Sequence, residues 1–139
     1  MIRAVYSGAD MLCCTVPIHM TRELKALVFP PSPRDVLPQK RGLQEEENSI
    51  NDKFMEESLD LTDVKYIKDT SPLQPECRCH ACRNHTRAYI HHLFKSEELL
   101  AEVLLYAHNQ YQVSRLMDEI RDRIQDKNSF SKWAGINAE

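Results

Sequence analysis

Three cysteines within six residues, in the pattern Cys77-x-Cys79-x-x-Cys82, constrain this chain more than any other feature of its sequence. Thiols this close together can converge on one metal ion within a tight turn. Zinc takes four nitrogen or sulfur ligands in a tetrahedron, so three cysteines leave one position to fill. The spacing therefore predicts a zinc site, in preference to three unrelated thiols.

Five histidines are candidates for the fourth ligand: His80, His85, His91, His92 and His108. His80 lies between two of the cysteines and would have to fold back, whereas His85 follows Cys82 at a favourable spacing. His108 comes 26 residues after Cys82, on the apolar face of a predicted long helix. A histidine on such a face is usually a buried core residue, but a metal nearby would give its imidazole a partner.

Composition and charge argue against several classes of protein. The 139 residues include 3 Gly, 7 Pro and 5 Cys, and the formal net charge is -3. The isolated glycines exclude a glycine-rich phosphate loop, and the charge argues against a strongly basic nucleic-acid binder. No apolar run approaches the ~18 residues of a membrane helix, so no transmembrane segment is predicted. The start has no apolar signal core, which predicts a cytoplasmic, reducing compartment where cysteines serve as thiols or metal ligands.

The sequence divides into three segments, 1–29, 30–72 and 73–139. In the first, short apolar runs predict buried strands around Ile2–Val5 or Met11–Cys14 and at Ala26–Phe29. The second is rich in proline and acidic residues, which predicts an exposed and partly disordered loop. Within it, Ser58–Leu61 and Val64–Ile67 are candidates for short strands.

The third segment has the spacing of helices. Tyr89 and Leu93 lie four residues apart and predict one helix. A longer apolar pattern predicts a second helix with Ser96 as its N-cap and an end near Lys127 and Asn128. That pattern comprises Leu100, Val103, Leu104, Ala107, Tyr111, Leu116, Met117, Ile120 and Ile124.

A basic group surrounds the cysteines. Its members are Arg78, Arg83, Arg87 and Lys95, and no acidic residue lies between Cys77 and Lys95. Such side chains next to a metal site are candidates for contacts with RNA phosphates. The alternative is exposed charge that balances the acidic segment.

The stretch from Pro72 to Ile124 resembles the zinc-binding region of the tRNA-guanine transglycosylases. The family pattern is C-x-C-x2-C followed 26 residues later by the histidine of a His-Asn pair, here His108-Asn109. The resemblance implies that Cys77, Cys79, Cys82 and His108 bind one structural Zn²⁺ per chain.

It also implies a fold, because the family has a (βα)8 barrel with a zinc subdomain. A barrel needs about 250 residues, so the expected fold class is α/β, a partial C-terminal portion of a TIM barrel with a mainly helical zinc-binding subdomain. In this interpretation 1–29 is a remnant of a barrel strand and active-site loop, 30–72 is an insertion and 73–139 contains the zinc subdomain.

A second, shorter resemblance concerns the reaction. Gly8–Pro17 is similar to the family's active-site segment, with Asp10 at its first aspartate and Cys13 where the catalytic nucleophile stands. A thiol is not a conservative replacement for a carboxylate in glycosyl transfer. The resemblance therefore implies a non-catalytic accessory subunit, with no catalytic residues of its own.

The implied role is to support the exchange of guanine for queuine at the wobble position of tRNAs with GUN anticodons. The implied partners are a catalytic subunit, in a heterodimer, and tRNA; a homodimer is the alternative assembly. The implied location is the cytoplasm, with peripheral attachment to the mitochondrial outer membrane as a further expectation. Two other hypotheses are a stand-alone zinc-binding module that contacts RNA or a protein, and an active enzyme that uses Cys13 or Asp10.

Overall fold

The computed structural model describes residues 1–29 and 58–125 together with Phe130 and Trp133. The described part is rich in helix and contains one small sheet. Its helices are α1 (Ile2–Tyr6), α2 (Val16–Arg22), α3 (His80–Asn84), α4 (Arg87–Lys95) and α5 (Leu99–Arg123), its strands are β1 (Lys25–Leu27) and β2 (Ser58–Asp60), and a 3-10 turn covers Val64–Tyr66. None of the described helices has the length and apolar character needed to cross a membrane.

The two strands form an antiparallel pair in which Lys25 lies opposite Asp60 and Leu27 opposite Ser58. The strands predicted at Ala26–Phe29 and Ser58–Leu61 are therefore confirmed, with bounds that differ by one or two residues. Neighbouring strands of a TIM barrel run parallel, and the described residues contain no parallel pair. The sheet thus supports the coarse α/β class, and the described residues form no barrel.

Two other predicted strands are wrong. Ile2–Val5 lies in helix α1, and residues 9–15 have no regular structure, with Met11 91% exposed. Val64–Tyr66 forms a 3-10 turn because the Asp63 side chain accepts a hydrogen bond from the Lys65 amide at 2.9 Å and begins a turn there. Short apolar runs do not distinguish strand from helix by periodicity, and here tertiary packing and capping decide.

The predicted N-cap at Ser96 is also wrong. Ser96 ends α4, where its amide donates to the His92 carbonyl at 3.0 Å, and the N-cap of α5 is Glu98. Between them Glu97 has a φ of 56°, in the left-handed region that interrupts a helix. The predicted helix end at Lys127 and Asn128 and most of the predicted loop, residues 30–57, lie outside the described residues.

Helix α5 supplies one side of the core. Its buried face is a stripe at helical spacing, consisting of Ala101, Leu104, Leu105, His108, Asn109, Gln112, Val113, Leu116 and Ile120. Leu100 and Val103, which the sequence pattern assigns to that face, are exposed. The first half of the stripe packs around the cysteines, and the second half packs with Ile2, Leu27 and Phe29. The metal-ligand candidates therefore lie inside a core and not in a surface loop.

Candidate metal centre

The structure brings together the four residues Cys77, Cys79, Cys82 and His108. One ligand atom from each lies within 4.8 Å of the others. The His108 Nδ1 atom is 3.8, 3.4 and 3.3 Å from the Sγ atoms of Cys77, Cys79 and Cys82. Tetrahedral zinc, with bonds of about 2.3 Å to sulfur and about 2.0 Å to nitrogen, would separate those atoms by about 3.5 Å. The donor set and its spacing therefore fit a zinc-sized ion.

Local structure positions the three cysteines. Glu76 has a φ of 54°, and this left-handed residue turns the chain immediately before Cys77. Cys79 is the N-cap of α3, and its Sγ accepts a hydrogen bond from the Cys82 amide at 3.3 Å. Cys82 then lies in the first turn of α3, which returns its side chain toward Cys79. The C-x2-C spacing is thus a helix-capping geometry in which sulfur takes the place of the usual cap oxygen.

The tautomer of His108 follows from its second nitrogen. Nε2 lies 2.8 Å from the backbone carbonyl oxygen of Leu27, a group that can only accept. A neutral imidazole therefore carries its proton on Nε2 and presents the lone pair of Nδ1 to the three sulfur atoms. Metal-binding histidines are commonly oriented by such a carbonyl. His108 is completely buried, so this orientation is fixed by the core.

The ligand candidates shift one another's pKa values in opposite directions. Hydrogen bonds from the other two cysteines hold the pKa of Cys79 far below its ordinary value, and hydrogen bonding with Cys77 and Cys79 raises the pKa of Cys82. Burial works to lower the pKa of His108, but contacts with Cys77 and Cys79 outweigh it and raise this pKa to about 9. Because metal ligation requires thiolates and a neutral imidazole, binding releases protons and is favoured as pH rises.

The other candidate histidines lie away from the cluster of ligand atoms. His80 is exposed and contacts Asn84, and its ring lies 5.8 Å from that of His85. His85 in turn stacks on Tyr89 at 5.1 Å. His91 is buried with Nδ1 2.7 Å from the Leu61 carbonyl oxygen, whereas His92 is exposed. Of the candidates, His108 alone has its ring nitrogen among the sulfur atoms.

The residue after His108 extends the connection to β1. The Asn109 Oδ1 atom accepts a hydrogen bond from the Leu27 amide at 2.8 Å, and its Nδ2 donates to the Lys25 carbonyl at 3.0 Å. Together with the bond from His108 to the Leu27 carbonyl, three backbone groups on one edge of β1 are satisfied by α5. The His-Asn pair therefore fixes this strand to the metal centre.

The four basic residues divide into two kinds. Arg78, Arg83 and Lys95 are exposed. Arg87 is half-buried and engaged within the chain, because its guanidinium donates to Asp69 at 2.9 Å and to the Leu73 carbonyl at 3.1 Å. Arg87 therefore holds the chain at Asp69 and Leu73. For the other three residues the prediction of RNA contacts rests on exposure alone, and Arg78 also interacts within the chain.

The segment similar to an active site is open to solvent. Asp10 and Cys13 are both exposed and lie in irregular backbone between α1 and α2. Neither forms a hydrogen bond or an ion pair within the described part of the chain. General acid-base or nucleophilic catalysis needs a partner within hydrogen-bond reach, and these residues provide no such arrangement.

Two polar residues beside the cysteines escape prediction from the sequence. The Gln112 Nε2 atom donates to Cys77 Sγ at 3.3 Å and to Gln74 Oε1 at 2.6 Å. The Gln74 side chain in turn donates to the Phe29 carbonyl. The sequence holds one signal for the first of them, because Gln112 follows His108 by four residues and so lies on the same face of a helix.

Comparison with known proteins identifies the family of this chain. The family model described as queuine tRNA-ribosyltransferase matches residues 1–135. The queuine tRNA-ribosyltransferase of Pelotomaculum thermopropionicum is 35% identical over 121 residues, which cover 87% of this chain and 26% of that protein. The queuine tRNA-ribosyltransferase accessory subunit 2 of Homo sapiens is 36% identical over 124 residues, which cover 78% of this chain and 30% of that protein.

The chain thus spans about a quarter to a third of the length of these relatives. The family match nevertheless extends over most of the chain and includes both the cysteine cluster and the His-Asn pair. We conclude that the chain belongs to the queuine tRNA-ribosyltransferase, or tRNA-guanine transglycosylase, family.

Proposed function

We propose that this chain provides the zinc-containing region of a non-catalytic accessory subunit of queuine tRNA-ribosyltransferase. The observation that carries the proposal is the contrast between a complete set of four metal ligands and a missing nucleophile. Cys77, Cys79, Cys82 and His108 fit one zinc ion, while Cys13 stands where the family resemblance expects a catalytic aspartate. The chain would therefore support base exchange and would not perform it.

The proposed zinc is structural. Four protein ligands complete a tetrahedron and leave no position for a reactive water, which is the usual distinction between structural and catalytic zinc sites. The site is also buried among core residues and hydrogen-bonded to β1 through His108. A bound ion would add binding free energy to folding and would hold α3, α5 and β1 together.

The proposed partner is a catalytic subunit of the same enzyme, in a heterodimer, and the proposed substrate of the complex is tRNA. The name of the human relative, an accessory subunit, supports this assignment. Identity alone does not decide it, because the bacterial relative is almost equally similar. Arg78, Arg83 and Lys95 are the proposed contacts with RNA phosphates, and the cytoplasm or the outer mitochondrial surface is the proposed location.

The test is co-expression with a catalytic queuine tRNA-ribosyltransferase subunit, followed by metal analysis and a guanine-exchange assay on tRNA. We expect one zinc ion per chain, co-purification of the two subunits, and no exchange by this chain alone. Guanine exchange by the isolated chain would contradict the accessory role. A purified chain that contains no metal would contradict the structural zinc independently of that role.

A further inference from the structure

A glutamine is an unusual residue type for a completely buried position such as 112 in α5. Its side chain is completely buried, and its Nε2 donates to both Gln74 Oε1 and Cys77 Sγ. Its own Oε1 is buried and has no hydrogen-bond partner within the described part of the chain. An unsatisfied buried carbonyl costs about 1–3 kcal/mol. An apolar side chain of similar shape would avoid this cost, so packing alone does not account for a glutamine here.

The orientation of the Gln112 amide is determined by its neighbours. Gln74 uses its own Nε2 to donate to the Phe29 carbonyl and so presents its oxygen to Gln112. A metal-bound thiolate at Cys77 is likewise an acceptor. Reversing the Gln112 amide would set its oxygen against these two acceptors, which excludes the reversed assignment. The Gln74–Gln112 pair therefore directs an N–H group at Cys77.

Two of the three sulfur atoms accept a hydrogen bond from an N–H donor of the described residues. Cys79 Sγ accepts from the Cys82 amide at 3.3 Å. That donor belongs to the backbone and is fixed by the turn that holds the cysteines. Cys77 differs, because its donor is a side chain from α5, one turn beyond His108. A single substitution can therefore remove the donor to Cys77 and leave the donor to Cys79 in place.

We propose that Gln112 is a positioning residue of the metal centre, which donates an N–H···S hydrogen bond to the Cys77 thiolate and thereby increases metal affinity. The bond reduces the excess negative charge that three thiolates would place around a divalent ion. It also fixes Cys77 relative to His108, because both are then bound to the same face of α5. The inference rests on the metal binding proposed above. Partners of this kind typically change metal affinity by about 10- to 100-fold.

The test compares Gln112→Met with Gln74→Met in the full chain. Both substitutions keep an unbranched side chain and break the hydrogen bond between the two glutamines, but only the first removes the donor to Cys77. Gln74→Met additionally loses the bond to the Phe29 carbonyl. A general loss of stability would therefore appear at least as strongly in the Gln74 variant.

Two quantities are measured: zinc affinity by competition with a chromophoric chelator, and the energy of the sulfur-to-metal charge-transfer band after loading with Co²⁺. We expect Gln112→Met to weaken zinc binding about 10- to 100-fold and to shift the band to lower energy, since an unbonded thiolate gives up its electron more readily. Gln74→Met should stay closer to wild type in both. Wild-type values for Gln112→Met, or equal shifts in the two variants, would overturn the proposal.

A measurement on the wild-type chain keeps the proposal testable if Gln112→Met does not fold. After loading with ¹¹³Cd²⁺, scalar coupling through the N–H···S bond should correlate the Gln112 side-chain amide proton with cadmium. The backbone amide of Cys82, which donates to Cys79 Sγ, provides an internal positive control. A correlation to that amide without one to Gln112 would overturn the inference while leaving the metal centre intact. A wild-type chain that binds none of these ions would overturn the metal centre itself.

Discussion

The metal centre and the segment Gly8–Pro17 both carry patterns of the same family, but they differ in how much of a working site each contains. At the metal centre, all four donors come from the described chain, are held within 4.8 Å of one another and lie in a core. In the other segment, Asp10 and Cys13 are exposed on irregular backbone with no partner in the described residues. The described residues thus complete the set of ligands at the first site, whereas they place no hydrogen-bond partner beside Asp10 or Cys13 at the second.

Strand β1 connects the two regions. It follows α2 and the segment Gly8–Pro17 along the chain. The backbone groups of β1 that do not pair with β2 are hydrogen-bonded to the side chains of His108 and Asn109. Any loss at the metal centre should therefore extend to β1 first. Five predictions, ordered from the largest expected effect to the smallest, test the contrast between these two regions.

The largest effect is expected from His108→Ala or Cys79→Ser. Each removes one of four ligands, and the binding free energy of a structural zinc ion, about 10 kcal/mol or more, is comparable to the whole stability of a small domain. We expect the variants to lose zinc and to unfold the region from Cys77 to Arg123. Metal analysis and thermal unfolding by circular dichroism provide the measurement.

The matched control is His80→Ala, which removes an exposed histidine of the same subdomain and should retain both zinc and the melting temperature. An unchanged metal content in His108→Ala would show that the ligand assignment is incorrect.

Asn109→Ala should have the next largest effect. It leaves the Leu27 amide and the Lys25 carbonyl without their side-chain partner in a buried setting, at an expected cost of about 2–4 kcal/mol for the two groups. The metal ligands are untouched, so zinc content should remain. Chemical denaturation reports the free energy of unfolding, and amide hydrogen exchange should be faster at Leu27 than in wild type.

Asn109→Asp is a second variant at this position, to be compared with Asn109→Ala. It retains the acceptor for the Leu27 amide but sets a carboxylate oxygen against the Lys25 carbonyl at a completely buried position. Because burying an unpaired charge is costly, its cost at neutral pH should be at least that of Asn109→Ala. Equal stability of all three proteins would mean that the metal centre and β1 are not coupled through this residue.

A smaller effect is expected from Arg87→Met. Arg87 and Asp69 are only 19% and 23% exposed and form an ion pair at 2.9 Å, so we expect a loss of about 1–2 kcal/mol. The comparison pair Arg121–Asp118 is 68% and 48% exposed, and Arg121→Met should cause no measurable change. Urea denaturation of both variants at neutral pH measures the difference.

The same ion pair predicts a pH dependence. Hydrogen bonds from Ser71, and then from Arg87, hold the pKa of the Asp69 carboxyl below its ordinary value of 3.8. Because the folded pKa is the lower one, this contribution is fully present above the unfolded pKa. It is lost as pH falls through the folded pKa. Asp69→Asn should flatten that part of the acid stability profile, and an unchanged profile would contradict the assignment.

How far the sequence predicts these features depends on how local they are. The cysteine spacing is local, and the family resemblance assigns His108 to the same site. The helix boundary predicted at Ser96 is misplaced, because α4 ends there in a C-terminal cap. Glu97 is left-handed, and the amides of Glu97 and Glu98 donate to the carbonyls of Phe94 and Leu93. Glycine usually occupies the left-handed position of such a cap, so a glutamate there gives no signal in the sequence. Gln112 escapes prediction for a related reason: its partner Cys77 is 35 residues away in the sequence. Helical spacing places Gln112 on the same face as His108, but it does not identify Cys77 as the hydrogen-bond partner.

The smallest effect is expected at Cys13, and it tests the incomplete side of the contrast. Cys13→Ala should leave guanine exchange by the complex with a catalytic subunit unchanged, because the thiol is exposed and has no base within the described residues to activate it. Cys13→Asp restores the residue type that the family uses as nucleophile, yet it should not make the isolated chain active. A carboxylate alone supplies neither the substrate pocket nor the acid-base partner that transfer requires. A loss of exchange in Cys13→Ala, measured with a catalytic subunit present at equal concentration, would instead place this thiol in the reaction.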